Sequence, residues 1–172
     1  MSEENPLPTV VTLGVYGCGE AEFFAMLARA SVDTFCDIRY RRGVRGADYA
    51  FVNSRRLQRR LAEMGIRYFH FRELAPSPTL RKRQAELDKA QGTAKRQRQA
   101  LGEVFVSGYG SECLAHFNSR QFLAQLGKDV RVLALFCVER EPAACHRSLL
   151  AERLRQELGV RVIHLFPEGN SG

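Results

Sequence analysis

Residues Arg131 to Val138, RVLALFCV, form the most continuous apolar run in the chain. A strand with one wet face alternates polar and apolar side chains, so an unbroken run predicts a strand covered on both faces, as inner strands of parallel sheets are. Four other stretches, Thr9–Val15, Thr34–Ile38, Ile66–Phe71 and Val160–Leu165, also read as strands. Helical patterns separate them. Glu20–Ala30 is amphipathic. After Ser54, an expected N-cap, Leu57, Leu61 and Met64 repeat at i, i+4, i+7 with arginines on the other side, and Gly65 ends the helix. A further helix is expected over Glu112–Leu126, with Leu114, Phe117, Phe122 and Leu126 inward, and another from Cys145 to about Leu158.

Pro76 and Pro78 break the chain before a polar, helix-prone stretch, Leu80–Val106, interrupted by Gly92 and Gly102. It reads as a helical basic insertion. Strands alternating with helices imply a parallel or mostly parallel central sheet with helices on both faces, a Rossmann-like three-layer α/β fold in one domain of 172 residues. The 45% hydrophobic and 26% charged content excludes a disordered class. No apolar run approaches ~18 residues, so no membrane span is expected. MSEENPLP carries two acids and no basic n-region, which favours a cytoplasmic location over secretion. An odd set of five cysteines in a reducing compartment predicts free thiols.

The positive charge is concentrated. Between Arg39 and Arg60 lie eight arginines and a single acid, Asp48, which is the whole +7 excess of the chain. A second window, Arg81–Arg98, includes Lys82, Arg83, Lys89, Lys95 and Arg96 and reads as an exposed helix. Such clusters favour a phosphate-bearing partner, either nucleic acid or a small molecule; a solvated surface is the plainer reading.

Ligands of parallel sheets bind at the carboxyl ends of the strands, where the unusual residues of this chain fall. Gly17 and Gly19 follow the first strand, Asp37 and Arg39 the second, and Cys137 and Glu139 the fourth; Cys145, His146 and Arg147 open the next helix. Asp37 and Glu139 are candidate general bases or salt-bridge partners. Arg39, Arg41, Arg42, Arg45 and Arg147 are candidate phosphate ligands, with Gly17 and Gly19 beside them and Tyr49 as a stacking surface. Arg147 in a first helical turn opposes the helix dipole, a placement eased by a bound anion or by pairing with Glu139 or Asp37. Cys145 at a helix N-terminus suits a lowered thiol pKa, with His146 a base only if the two side chains converge, since neighbours on a helix diverge by about 100°. Cys137, Cys145 and His146 fit no common zinc spacing, so no metal is expected. Gly14, Gly17 and Gly19 are out of step with GxGxxG and no P-loop occurs, so no cofactor is expected.

The segment LFCVEREPAACHRSLLAERL resembles the signature of the family called domain of unknown function 488, DUF488. The resemblance continues through Thr12-Leu13-Gly14, Asp37-Ile38-Arg39, and Gly65-Ile66 with Tyr68 and His70, ending at Cys137, Glu139, Pro142, Cys145, His146 and Arg147. It implies an α/β fold and a site built from the Asp-x-Arg and Cys-His-Arg segments. Where the family has His-Ser after the first-strand glycine, this chain has Val15-Tyr16, so no role of that histidine carries over. Three functions follow as expectations: an enzyme processing a base, glycosidic or phosphate group; a non-catalytic nucleic-acid or nucleotide-binding module; and a cysteine-dependent sulfur-transfer or redox protein.

Overall fold

The computed structural model of the protein describes residues 5–94 and 98–168. Five strands, β1 (Thr9–Leu13), β2 (Thr34–Asp37), β3 (Arg67–His70), β4 (Val132–Phe136) and β5 (Val162–His164), form one sheet in the order β3-β2-β4-β1-β5. Every pairing is parallel. Among the described residues six α-helices accompany them: α1 (Glu20–Arg29), α2 (Ser54–Glu63), α3 (Pro78–Ala90), α4 (Glu103–Glu112), α5 (Ser119–Leu126) and α6 (His146–Leu158). The expected three-layer α/β architecture is the one observed. β4 is central, and Leu133 through Phe136 are fully buried, which is why that segment lacks alternation.

Register sorts the faces. Phe35 and Phe136 share one side with Phe23 of α1, whose ring lies 6.5 and 5.5 Å from theirs. Leu57 and Leu61 bury the apolar stripe of α2. Arg67, next to Tyr68 and therefore on the other face, reaches the Leu126 carbonyl of α5, and α5 packs on α6. The chain thus leaves β1 and β2 toward one layer and β4 toward the other. That divergence opens a crevice at the carboxyl ends of the strands.

Several boundaries differ from expectation. α2 is capped by Asn53, not Ser54, and the Asn53 amide oxygen accepts from the Val44 N–H. The span Glu112–Leu126 is not one helix: a 3₁₀ turn, Leu114–His116, separates α4 from α5, because the Asn118 side chain accepts from Gln121 N and starts a new helix. The stretch 80–106 divides between α3 and α4, and Leu80, Phe105 and Tyr109 join the hydrophobic core. Lys95 and Arg96 of the second basic window lie outside the described residues. All five cysteines are free. No helix among the described residues is long and apolar enough to cross a membrane.

Beyond β1 the chain makes its closest approach. Val15 N and Tyr16 N both donate to the Val138 carbonyl, and a Cβ on Gly14 would sit 1.8 Å from the Glu139 oxygen. Only glycine admits the loop after β4 there. Gly14→Ala is expected to cost about 3 kcal/mol in urea unfolding. Gly110→Ala, in the interior of α4 with nothing within 4 Å of the added carbon, is expected to gain about 0.5–1 kcal/mol. Equal behaviour of the two variants contradicts the crowding at Gly14.

Candidate functional site

A cavity of about 620 Å³ opens at the crevice. The end of β4 and the start of α6 supply Cys137, Glu139, Cys145 and His146; the loop after β2 supplies Arg39, Arg41 and Arg45; α3 supplies Arg81 and Lys82. Separate stretches of chain therefore meet at one rim. Asp37 and Arg147 stand behind it, fully buried and outside the cavity lining.

Asp37 holds Arg39. Arg39 Nε donates to Oδ1 and Nη2 to Oδ2, both at 2.8 Å, and its backbone N–H reaches Oδ1 at 3.2 Å. The Tyr68 hydroxyl donates to Oδ2 at 2.7 Å. Burial, followed by the Asp37 charge, pushes the Tyr68 phenol above its ordinary value, so it remains a donor. With four donors on it, the carboxylate positions a guanidinium and does not face the cavity. Arg39 also reaches the Val52 carbonyl and lies 4.8 Å over the Phe136 ring.

Arg147 corrects the expectation of an anion ligand. Its Nη1 and Nη2 donate to the backbone carbonyls of Glu139 and Arg140, not to a carboxylate. Those carbonyl dipoles compensate the positive charge in the first turn of α6. The arginine lies outside the cavity lining and acts on it through the loop it holds and through its charge on the Cys145 thiol.

Cys145 and His146 do converge. Cys145 is the N-cap of α6, with extended φ −137° and ψ 145°, so the 100° divergence of helical neighbours does not apply to this pair. Its Sγ lies 3.7 Å from His146 Nδ1, while His146 Nε2 is 2.8 Å from the Ile38 carbonyl. A carbonyl only accepts, so Nε2 carries a proton and the neutral ring turns its Nδ1 lone pair toward the sulfur. Burial works to raise the Cys145 thiol, but the hydrogen bond with Cys137, the His146 ring and the Arg147 charge outweigh it and hold it well below the ordinary range. Burial likewise works to lower the imidazole, and Cys145, the Ile38 carbonyl and Glu139 outweigh it and raise it. By contrast, burial pushes Cys18 and Cys113 up to about 11 and holds Cys36 well above the ordinary thiol range.

Cys137 completes the cluster. Its Sγ is 3.3 Å from Glu139 Oε2, and the Cys137, Cys145 and His146 donor atoms all lie within 4.8 Å of one another. Spacing along the chain hid this, because Cys137 and Cys145 are joined by a loop that folds back on itself. Chemically the trio suits either a thiolate paired with an imidazolium or three ligands to a thiophilic metal.

The remaining expected residues lie elsewhere. Gly17 N donates to the Tyr49 hydroxyl at 2.9 Å, Gly19 is the N-cap of α1, and the Tyr49 ring packs 5.3 Å from Tyr16. None of Gly17, Gly19, Tyr49 and Arg42 lines the cavity; Arg42 sits beside the Tyr68 hydroxyl. Sequence reasoning missed Arg98, whose Nη1 reaches Asp88 of α3 at 2.8 Å and whose Nη2 reaches Glu139 at 2.9 Å and the Ala144 carbonyl. It also read Arg81 and Lys82 as solvated. The available signal was the spacing of Arg81, Gln84 and Asp88, one helical face bearing polar groups that are partly or fully buried.

The Asp37–Arg39 pair can be tested by stability. Asp37→Asn leaves a buried guanidinium uncompensated and is expected to cost about 3–5 kcal/mol in denaturant unfolding. The double variant Asp37→Leu/Arg39→Met is expected to recover part of that loss. Equal losses in both would show that charge compensation is not what Asp37 provides.

The family model described as Domain of unknown function DUF488 matches residues 20–154, most of the chain and every residue lining the cavity except Tyr16. Comparisons with curated proteins and with solved structures return no match. With this match joined to the Asp37-x-Arg39 and Cys145-His146-Arg147 segments placed at one rim, the chain belongs to the DUF488 family.

Proposed function

We propose that this protein is an enzyme that binds a phosphate-bearing small molecule in the rim cavity and acts on it through the cluster of Cys137, Cys145 and His146. One observation carries the reading. Arg41, Arg45, Arg81 and Lys82 surround the cavity and form no ion pair among the described residues. Four uncompensated cations around a concave site raise the potential for an anion, and a volume of about 620 Å³ suits a nucleotide-sized ligand rather than an extended polymer. Tyr40 serves the cations: the Arg72 and Arg81 guanidinium groups lie 4.1 and 4.8 Å from its ring centre.

A second reading, a nucleic-acid surface, is favoured by α2, where Arg55 and Arg59 are exposed and make no ion pair among the described residues, while Arg56 and Arg60 pair with Glu20 and Glu63. The two sites are separable by charge reversal. In calorimetric titrations with nucleoside monophosphates and inorganic phosphate, Arg41→Glu/Arg45→Glu is expected to weaken binding at least about tenfold, and Arg55→Glu/Arg59→Glu to leave it unchanged. Cys145→Ser is expected to bind but not turn over. The reverse pattern, with oligonucleotide binding lost in the α2 variant alone, favours the nucleic-acid reading; no binding of any phosphate compound removes the first one.

A further inference from the structure

We propose that Cys137 Sγ, Cys145 Sγ and His146 Nδ1 bind one thiophilic divalent ion, zinc in the first instance, with Glu139 beside it as the group that takes a proton from metal-bound water. This deepens the reading above by naming the reactive group of the same cavity. It rests on that reading for the substrate, whereas the metal site rests on donor geometry.

The distances suit the ion. Zinc bonds of about 2.3 Å to sulfur and 2.0–2.1 Å to nitrogen in a tetrahedral arrangement place such donors roughly 3.5–3.8 Å apart. Cys145 Sγ and His146 Nδ1 already stand 3.7 Å apart, and all three donors fall within 4.8 Å. The remaining separations exceed the tetrahedral spacing by at most about 1 Å. All three residues are buried, so little ordering of exposed side chains opposes binding.

The surroundings are those of a ligand-orienting shell. A metal-bound histidine commonly donates its other ring N–H to a carbonyl or carboxylate, which fixes the tautomer; here Nε2 donates to the Ile38 carbonyl at 2.8 Å. The Tyr109 ring, 5.5 Å from the imidazole, limits its rotation. The ligands come from the end of β4 and the N-cap of α6, two elements tied together by Arg147 on the intervening carbonyls. Three protein ligands leave the fourth position of a tetrahedral ion to water or substrate, the pattern of catalytic rather than structural zinc. All three line the cavity with Glu139, so the cavity supplies that position. Glu139 Oε2 is 3.3 Å from Cys137 Sγ, and Arg98 holds the other oxygen at 2.9 Å. Water on the ion loses a proton to this carboxylate and leaves hydroxide on the metal. Two sulfurs and one imidazole with a non-ligand glutamate are also the donor set of hydrolytic zinc sites that deaminate bases. The other thiols, Cys18, Cys36 and Cys113, join no such cluster among the described residues.

The test uses the full chain, stripped of metal and titrated with zinc against a chromophoric chelator, and in parallel with cobalt(II). One equivalent of zinc per chain is expected, and cobalt is expected to give thiolate charge-transfer absorption with the strong visible bands of a tetrahedral site. Cys137→Ser and Cys145→Ser should each weaken binding at least about tenfold, with Cys113→Ser unchanged. In the unmutated protein, zinc should protect Cys137 and Cys145 from alkylation and leave the other three thiols at their own rates, a readout that does not depend on any variant folding. Substoichiometric zinc, or alkylation of Cys137 and Cys145 that zinc does not slow, overturns the site. Phosphate binding without zinc binding overturns the metal and leaves the cavity reading intact; zinc binding without phosphate binding does the opposite.

Discussion

The rim depends on the grip of Arg147 on the loop after β4. Its guanidinium takes the Glu139 and Arg140 carbonyls from one side, while Val15 N and Tyr16 N take the Val138 carbonyl from the other. Gly14 leaves room for the loop between them. A charged group with no exposure is costly unless its hydrogen bonds are made; here backbone carbonyls of fixed position take Nη1 and Nη2, and Nε alone has no partner among the described residues. Residues 138–140 are thereby held from both flanks. That clamp sets the backbone of Cys137 and Glu139, and their side chains are fixed in turn by Arg98 on Glu139 and by the contact between the Cys137 sulfur and Glu139.

Charge that is contiguous in the chain is divided in space. Arg39 is internal, bound to Asp37 and the Val52 carbonyl. Arg41 and Arg45 line the cavity, and the α2 arginines are outside its lining, with Arg56 on Glu20. The potential at the cavity instead gathers Arg81 and Lys82 from a helix about forty positions further along the chain. A net charge summed over a linear window therefore overstates what any one surface carries, because burial and pairing neutralise part of it.

The strands and most helices were legible because hydrophobic periodicity is a local signal: all five strands fall within their expected stretches, and α6 runs to Leu158 as expected. The break between α4 and α5 was not, since Leu114, Phe117, Phe122 and Leu126 keep facing inward across it and the cap at Asn118 is a single side-chain bond. At the site, Cys137, Glu139, Cys145 and His146 followed from the strand-end rule for parallel sheets. The partners of Arg147 did not, because backbone carbonyls leave no mark in a sequence. The contribution of α3 was hidden for a different reason. A polar helical face turned toward a cavity has the same composition as one turned toward solvent, and only the fold distinguishes them.

The adjacency of Cys145 and His146 illustrates how a boundary between elements creates chemistry that neither element would. Inside a helix the two side chains would point about 100° apart. At the N-cap the sulfur-bearing residue is extended and its successor is helical, which brings Sγ and Nδ1 to 3.7 Å. The opposite ring nitrogen is then free to reach across to the Ile38 carbonyl, directly after β2, so one imidazole joins the start of α6 to the end of a strand from the other half of the sheet. Arg39 begins its own network one residue later, and the His70 ring takes the Arg39 carbonyl at 2.8 Å. A displacement of residues 38–39 would consequently be felt at two places, the guanidinium beside the cavity and the imidazole beside the thiol. The anion-facing and sulfur-bearing parts of the rim are coupled through this short segment of backbone.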